Sequence, residues 1–285
     1  VNWFIHEDQK DLNISLVTHM GDLTENNDRN EWEVSRKAFD KLDETDIPYG
    51  IVPGNHDYNK SKTASGQKYL DRDSSKINDF FGPETFNQKD WYGGNLDGSS
   101  ENYYIEFKAL GLDFMLINLE FATRKNALNW ANELVEEEEN QNKRIIVATH
   151  CFSKPNVRED GTVEIVPNTK CANKYDMIGG AGENIWDEFV SQHSNIFMVL
   201  SGHSTGSGHI AREANNGNIV HEILTDYQRE SNKGCDTDFD YGNGWFKTLE
   251  FERDSGNARK LKVSVKTRTI LNIQDFKCDK VYMIN

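Results

Sequence analysis

The sequence lacks any apolar run close to the roughly 18 residues that a membrane-spanning helix needs, so no membrane span is predicted. It is also poor in positive charge, with 32 Lys and Arg residues against 47 Asp and Glu residues and a net charge of −15. Because binding to a nucleic-acid backbone depends on Lys and Arg displacing counterions, this balance argues against a nucleic-acid partner. No signal-peptide pattern, internal repeat, low-complexity tract or linker is visible, and we predict a single domain over residues 1–285.

Cysteine is scarce, and the four residues present leave three possible pairings. Cys151 and Cys171 bracket the first part of residues 151–184, a long stretch with little hydrophobic periodicity. Long stretches of this kind usually carry function or cover a site, so we hypothesise that a bridge between these two cysteines closes a lid. The even number of cysteines favours an extracellular or secretory compartment, because disulfides persist in oxidising surroundings.

What the sequence does contain is a repeated local arrangement, in which a short apolar run is followed by a polar turn. The runs are residues 14–18, 49–52, 144–149 and 196–200. Asp22, Asn55, His150 and His203 follow them within a few residues. Short apolar runs are typical of buried strands, and open α/β sheets place their chemistry at the carboxyl ends of strands. Asn and Asp are also ordinary turn residues, but four such strand ends in one chain predict a shared site.

The four side chains would offer one carboxylate, one amide oxygen and two imidazoles. This mixed set of oxygen and nitrogen donors suits Mn, Fe or Zn and fits Ca²⁺ poorly, because Ca²⁺ prefers oxygen ligands alone. We therefore predict a divalent transition metal as the cofactor. Imidazole binds a metal only in its neutral form, so the affinity is expected to fall at acid pH.

These strand-end motifs resemble, in the same order, those of the calcineurin-like metallophosphoesterase family, and the similarity covers nearly the whole chain. The motifs are Gly21-Asp22, Gly54-Asn55-His56-Asp57, Thr149-His150 and Gly202-His203. Three further segments resemble a bacterial-type subgroup, namely Leu119-Glu120-Phe121, Trp130-Ala131-Asn132 and Asp226-Tyr227-Gln228. The resemblance implies an α/β fold, an αββα sandwich of two mixed sheets flanked by helices, with a two-metal site at the sheet edges.

The resemblance also implies roles for individual residues. Asp22 would bridge two metal ions, and Asn55, His150 and His203 would complete the shell of the second ion. A metal-bound hydroxide would attack the phosphoester. His56 would contact the phosphoryl oxygen or protonate the leaving group, and Asp57 would hold the orientation and tautomer of that imidazole.

The chain departs from the family pattern in two places, and both concern the first metal. The family carries an Asp two residues before a His or Gln on a central strand ahead of Asp22, and residues 1–12 contain no such pair. A fold without that strand would leave an apolar slot open, so we expect the native polypeptide to extend further towards the N-terminus. Thr205 stands where a second His is expected, and Thr is a poor ligand for these metals. His209 is either a substitute ligand or a surface residue.

Further elements follow from periodicity and turn residues. Helices are predicted over residues 2–12, 31–42 and 125–139, and hairpins around Leu110-Gly111 and Asn216-Gly217, with a last hairpin of residues 245–251 and 260–267. Glu120 closes the first hairpin, and we interpret it as a surface or capping residue, with a place behind the metal ligands as the alternative.

Two functions remain open at this point. The first is a metal-dependent hydrolase of a small phosphomonoester or phosphodiester, which the four intact motif positions favour. The second is a degenerate member of the family, with one metal or none, that serves as a binding or structural subunit with a protein partner. Thr205 and the absent first motif favour the second function, and the negative charge disfavours a nuclease.

Overall fold

The structure is a computed structural model that describes residues 13–62, 68–161, 163–171, 175–228, 244–269 and 280–284. Its strands there are β1 Val17–His19, β2 Tyr49–Ile51, β3 Asn59–Lys62, β4 Lys68–Asp71, β5 Tyr92–Leu96, β6 Ser99–Ala109, β7 Leu112–Leu119, β8 Arg144–Thr149, β9 Ser153–Val157, β10 Val163–Pro167, β11 Ile196–Ser201, β12 Gly206–Glu213, β13 Ile219–Asp226, β14 Trp245–Asp254, β15 Asn257–Thr269 and β16 Lys280–Ile284. Its helices there are α1 Arg29–Asp43, α2 Ile77–Phe81, α3 Pro83–Phe86, α4 Lys125–Glu136 and α5 Gly182–Glu188, and short 3₁₀ turns lie at Asn55–Asp57, Arg72–Ser74, Glu138–Asn140 and Val190–Gln192.

A seven-stranded mixed sheet forms the centre, with the strand order β12-β13-β11-β8-β7-β6-β5. Strands β7, β8, β11 and β13 run parallel, and β12, β6 and β5 are antiparallel to their neighbours. Strands β8 and β11 are buried along nearly their whole length, because elements cover both faces of the sheet. The parallel direction puts the residues that follow β7, β8 and β11 on one rim.

Helices α4 and α5 cover one face of this sheet. The buried side chains of α4 include Leu128, Ala131 and Val135, which are spaced by three and four residues and so share one side of the helix. They pack with Trp186 and Phe189 of the α5 region against Met115, Ile117, Ile145 and Val147 of the sheet. The helix predicted over residues 125–139 is therefore confirmed over Lys125–Glu136, and a separate 3₁₀ turn, Glu138–Asn140, follows it.

The other face is covered by a second layer of strands. It consists of the parallel pair β1–β2 and the antiparallel sheet β14-β15-β16. Helix α1 lies outside β1–β2 and sends Trp32, Phe39 and Leu42 into the shared core, where Phe39 and Tyr49 have ring centroids 5.4 Å apart. The predicted α/β class, with a large mixed sheet and flanking helices, is confirmed.

A slot separates the two parts of the second layer, with β1 on one side and β14 on the other. It is a cavity of about 1430 Å³, lined also by Phe114, Ile146 and Leu200 of the large sheet. In the described part of the chain, β1 pairs only with β2 and β14 only with β15, so each presents one unpaired strand edge. The structure therefore has an apolar slot of the kind expected, and the origin of a strand that would fill it stays a prediction.

The three predicted hairpins are confirmed as β6–β7, β12–β13 and β14–β15. Residues 151–184 are more regular than their sequence indicates, because β9 and β10 form an antiparallel hairpin there. The helix predicted over residues 2–12 lies outside the described residues. No helix in the described ranges combines the length and the apolar character that crossing a bilayer requires.

Candidate metal centre

Four separated segments bring Asp22, Asn55 and His203 to the Nε2 atom of His150. His150 Nε2 lies 3.2 Å from Asn55 Oδ1, 3.1 Å from His203 Nδ1 and 3.4 Å from Asp22 Oδ1. Asp22 and Asn55 follow β1 and β2 of the small parallel pair, and the two histidines follow β8 and β11 of the large sheet. The structure thus unites the four residues that the sequence singles out. That they bind a metal stays a prediction.

Two glycines allow the turn that carries Asp22 to approach its neighbours. Gly21 has a φ of +91°, and a Cβ on it would lie 2.6 Å from His150 Nδ1. A Cβ on Gly54 would lie 2.2 Å from Asp22 Oδ1 and 2.3 Å from the Asp22 backbone nitrogen. Asp22 itself has a φ of +55°, and its Oδ1 accepts a hydrogen bond of 2.9 Å from the His56 N–H. Unusual backbone conformations of this kind persist where the surroundings fix them and are concentrated at functional sites.

His150 is held in the tautomer that a metal ligand needs. Its Nδ1 donates a hydrogen bond to the Met20 carbonyl oxygen, which accounts for the ring proton. The Nε2 lone pair is then directed at Asn55, Asp22 and His203. A hydrogen bond behind the ring fixes both tautomer and orientation in metal sites, and His150 is 2 % exposed, so the ring has little freedom.

His203 is positioned by the backbone and by an aromatic neighbour. Its φ is +64°, and the preceding Gly202 N–H donates to the His150 carbonyl oxygen at 2.9 Å. The ring centroid of Phe121 lies 5.7 Å from that of His150 and 5.8 Å from that of His203. Phe121 is fully buried, so it keeps water from this side of both imidazoles. Exclusion of water strengthens electrostatic interactions at the centre.

Asp57 fastens the two turns of the small strand pair to each other. Its carboxylate accepts hydrogen bonds from the backbone N–H groups of Leu23, Thr24 and Gly54 at 3.1, 2.9 and 2.8 Å, and from the Thr24 hydroxyl at 3.0 Å. Burial raises the pKa of Asp57 to about 6, against the lowering effect of these hydrogen bonds. These four hydrogen bonds take the place of the contact with the His56 ring that the family resemblance implies for Asp57.

His56 is oriented by Glu25 instead. The Nδ1 atom of His56 lies 2.8 Å from the Glu25 carbonyl oxygen and 3.3 Å from the Glu25 carboxylate. Lys60 approaches the same ring, with its Nζ 2.9 Å from Nδ1. Sequence reasoning missed Glu25 because a backbone carbonyl has no residue-type signature.

Thr205 and His209 follow His203 but occupy different places. Thr205 lies half-buried in the bend before β12. His209 lies on β12, where its Nε2 is 2.8 Å from His221 Nδ1 and the two rings are stacked 5.1 Å apart. The contact uses Nε2 of His209, one of the two ring nitrogens through which this residue could bind a metal. A role in the first metal's shell stays a prediction for either residue.

Glu120 is the main correction to the sequence analysis. Its side chain is fully buried and forms ion pairs with Arg72 at 3.0 Å and with Arg124 at 2.7 Å, so it is not a surface residue. It also accepts a hydrogen bond of 2.9 Å from the backbone N–H of Arg124 just before α4, which agrees with the capping alternative. Arg72 also donates to the carbonyl oxygens of Phe121, at 3.3 Å, and Ala122, at 2.8 Å. The network therefore fixes the segment that presents Phe121 to the histidines. Arg124, four residues after Glu120, was the available signal in the sequence.

The structure contains the hypothesised bridge between Cys151 and Cys171, whose Cα atoms are 6.3 Å apart. Both cysteines are buried in a small apolar cluster with Tyr58, Phe121 and Met177. Since Cys151 directly follows His150, the bridge anchors the β9–β10 segment beside the centre.

The donors fit a divalent transition metal. Around an ion with bonds of about 2.1 Å, adjacent donor atoms are separated by roughly 3.0–3.4 Å, and the separations from His150 Nε2 are 3.1, 3.2 and 3.4 Å. Among the described residues, no three His, Cys, Asp or Glu side chains form a metal-binding group by themselves. The candidate centre is therefore defined by the three contacts of His150 Nε2, one of which is with the amide oxygen of Asn55.

Comparison with known proteins agrees with this fold. The family model for calcineurin-like phosphoesterases matches residues 2–206, which is most of the chain, and the protein belongs to that family. It is 25% identical over 261 residues to the uncharacterized protein YvnB of Bacillus subtilis, with 88% of this chain covered. The match covers 17% of YvnB, so the chain spans about a sixth of that relative's length.

The fold is also similar to the crystal structure of a dimetal phosphatase from Danio rerio. The TM-score is 0.55 with 11% sequence identity, and the alignment covers 97% of this chain and 85% of the other. At this identity the likeness concerns the fold.

Proposed function

We propose that the protein is a metal-dependent hydrolase of a small phosphomonoester or phosphodiester. The observation that supports this most is the convergence of Asn55, Asp22 and His203 on the Nε2 atom of His150, in a chain that belongs to the calcineurin-like phosphoesterase family. The acidic surface fits a small substrate better than a nucleic acid.

Asp22, Asn55, His150 and His203 would hold the ion, with Mn, Fe or Zn as the candidates. A divalent ion there would polarise the phosphoryl group and activate the attacking water. His150 contributes a neutral imidazole whose proton is already committed to Met20. Protonation of either histidine at acid pH would weaken the binding of the ion.

His56 is the proposed general acid, and Asp57 supports it indirectly. With Nδ1 donating to the Glu25 carbonyl oxygen, the His56 ring presents Nε2, which in the imidazolium form would give its proton to the leaving-group oxygen. Asp57 keeps the turn of His56 at a fixed distance from the turn of Asp22 through its four hydrogen bonds.

A second ion would need further ligands. We propose that residues 1–285 form a single domain, in which an extended segment from outside the described residues fills the slot between β1 and β14 and contributes these ligands. Two unpaired strand edges and an apolar floor support this, because an added strand satisfies both edges at once.

The alternative is a degenerate member with one ion or none that acts as a binding or structural subunit. Thr205 supports it, because its hydroxyl stands where the family has an imidazole. A protein partner would then replace the phosphoester. The buried bridge between Cys151 and Cys171 supports an extracellular or secretory location for either function.

Metal analysis and a chromogenic assay separate the two functions. The protein is loaded with Mn²⁺, its bound metal is counted, and hydrolysis of bis(4-nitrophenyl) phosphate is measured. His150→Ala is expected to lose metal and turnover, whereas His193→Gln, which alters a histidine paired with Asn132, is expected to keep both. Less than two equivalents of bound metal and no turnover would favour the binding role.

A further inference from the structure

Lys60 places a positive charge at the edge of the His56 ring. It lies on β3, four residues after His56, and its Nζ is 2.9 Å from Nδ1 and 3.5 Å from Nε2 of the imidazole. The side chain of Lys60 is exposed, so an anion from the solvent can reach it.

The hydrogen bond between His56 and Glu25 occupies the ring nitrogen that lies nearest to Lys60. The Glu25 carbonyl oxygen can only accept, and at 2.8 Å it requires a proton on Nδ1 of His56. A protonated Nδ1 has no lone pair for the ammonium group of Lys60. Nζ also lies 3.5 Å from Nε2, so an acceptor oxygen placed against Nε2 would lie within reach of the ammonium group.

The Glu25 carboxylate lies at the same ring, 3.3 Å from His56 Nδ1, and pairs with the imidazole. Arg72 and Arg124 are both paired with the buried Glu120. No ion pair of 4 Å or less joins Lys60 to an Asp or Glu in the described ranges. In a chain with a net charge of −15, a cation beside a proposed general acid is available for an anionic ligand.

We infer that Lys60 binds a non-bridging phosphoryl oxygen and makes the site prefer doubly charged phosphomonoesters over singly charged phosphodiesters. The inference rests on the proposed phosphoesterase function. An oxygen that hydrogen-bonds to Nε2 of His56 lies within reach of Nζ. A phosphomonoester carries nearly two negative charges at neutral pH, because its second pKa is about 6. The additional charge is attracted most by the nearest cation.

The test compares two substrates that release the same 4-nitrophenolate. In Mn²⁺-loaded protein, Lys60→Ala is expected to lower kcat/KM for 4-nitrophenyl phosphate about tenfold, mainly by raising KM. This is the loss that one charge contact in a partly solvated site should cause. For bis(4-nitrophenyl) phosphate the expected loss is less than about twofold. Lys60→Arg keeps the charge and should restore most of the monoester rate. Lys62→Ala removes the same charge from the same strand and should change neither substrate.

Binding of inorganic phosphate, measured by calorimetry on the same metal-loaded proteins, adds a readout that does not need turnover. Lys60→Ala should weaken it by a similar factor, and Lys62→Ala should not. Equal losses for both substrates, or equal effects of the two lysine variants, would overturn the inference. If the unaltered protein hydrolyses neither substrate, the proposed function fails. Weakened phosphate binding in Lys60→Ala would then still support the anion contact, and unchanged binding would overturn it.

Discussion

Loss of the bridge between Cys151 and Cys171 should destabilise the protein by about 3 kcal/mol, because the bridge restricts the unfolded chain. The two residues are separated by 20 positions in the sequence. A closed loop of that length removes about 11 cal/mol/K of entropy from the unfolded state, and this gives the value quoted at 25 °C. Both cysteines are buried, so replacing them also removes packing around Phe121.

The assay is denaturant and thermal unfolding of the Cys151→Ala/Cys171→Ala protein beside the unaltered protein, each with and without reductant. For a chain of this size the melting temperature should fall by about 6–12 °C. Reduction of the unaltered protein removes the bridge without removing any atoms. It should therefore reproduce most of the effect, and Cys151→Ala alone should match the double variant within about 0.5 kcal/mol.

A loss below about 1 kcal/mol in the reduced protein would refute the cross-link reasoning. If the double alanine variant is strongly destabilised while reduction has little effect, the contribution comes from packing in the small cluster.

Three further predictions concern the centre and its surroundings. Gly54→Ala should abolish Mn²⁺ binding, measured by calorimetry, because the added Cβ would lie 2.2 Å from Asp22 Oδ1. The control Gly256→Ala should bind Mn²⁺ normally, because the atom nearest to its added Cβ, Asp254 Oδ1, is 3.7 Å away. His56→Ala should keep its metal but lose turnover by roughly 10²–10⁴-fold, and loss of metal would contradict the assigned role. Burial lowers the pKa of His221, so its contribution to stability is complete above the unfolded value of 6.5 and is lost as the pH falls through the folded value. In metal-free buffer, the free energy of unfolding of His221→Gln should depend less on pH across that range than that of the unaltered protein. An unchanged dependence on pH would contradict this.

The convergence of the four candidate ligands could be predicted because it depends on local rules. Each of Asp22, Asn55, His150 and His203 follows a short apolar run, and parallel strands bring such positions to a common rim. The contacts around these residues could not be predicted in the same way. The partner of the His56 ring is a backbone carbonyl oxygen, which any residue can offer.

The burial of Glu120 shows a second kind of limit. A carboxylate at the end of a hairpin is normally solvated, and it is buried here because Arg72, distant in sequence, and Arg124 pair with it. Such long-range compensation leaves no periodic signal. The β9–β10 hairpin was missed for a different reason. Pro155 and Pro167 weaken a strand pattern, although a two-stranded ribbon tolerates Pro at positions that do not need an N–H donor.

The centre also joins two layers that are otherwise connected mainly by side-chain packing. Asp22 and Asn55 belong to a strand pair that, among the described elements, has no backbone pairing with the large sheet, whereas His150 and His203 extend from that sheet. An ion held by all four would cross-link the layers, and at one hundred times its dissociation constant it would stabilise the folded state by about 2.7 kcal/mol. Since the slot leaves one edge of β1 unpaired, the small pair gains most from this link. Metal binding and the packing of the second layer are therefore expected to depend on each other, because the same short turns serve both.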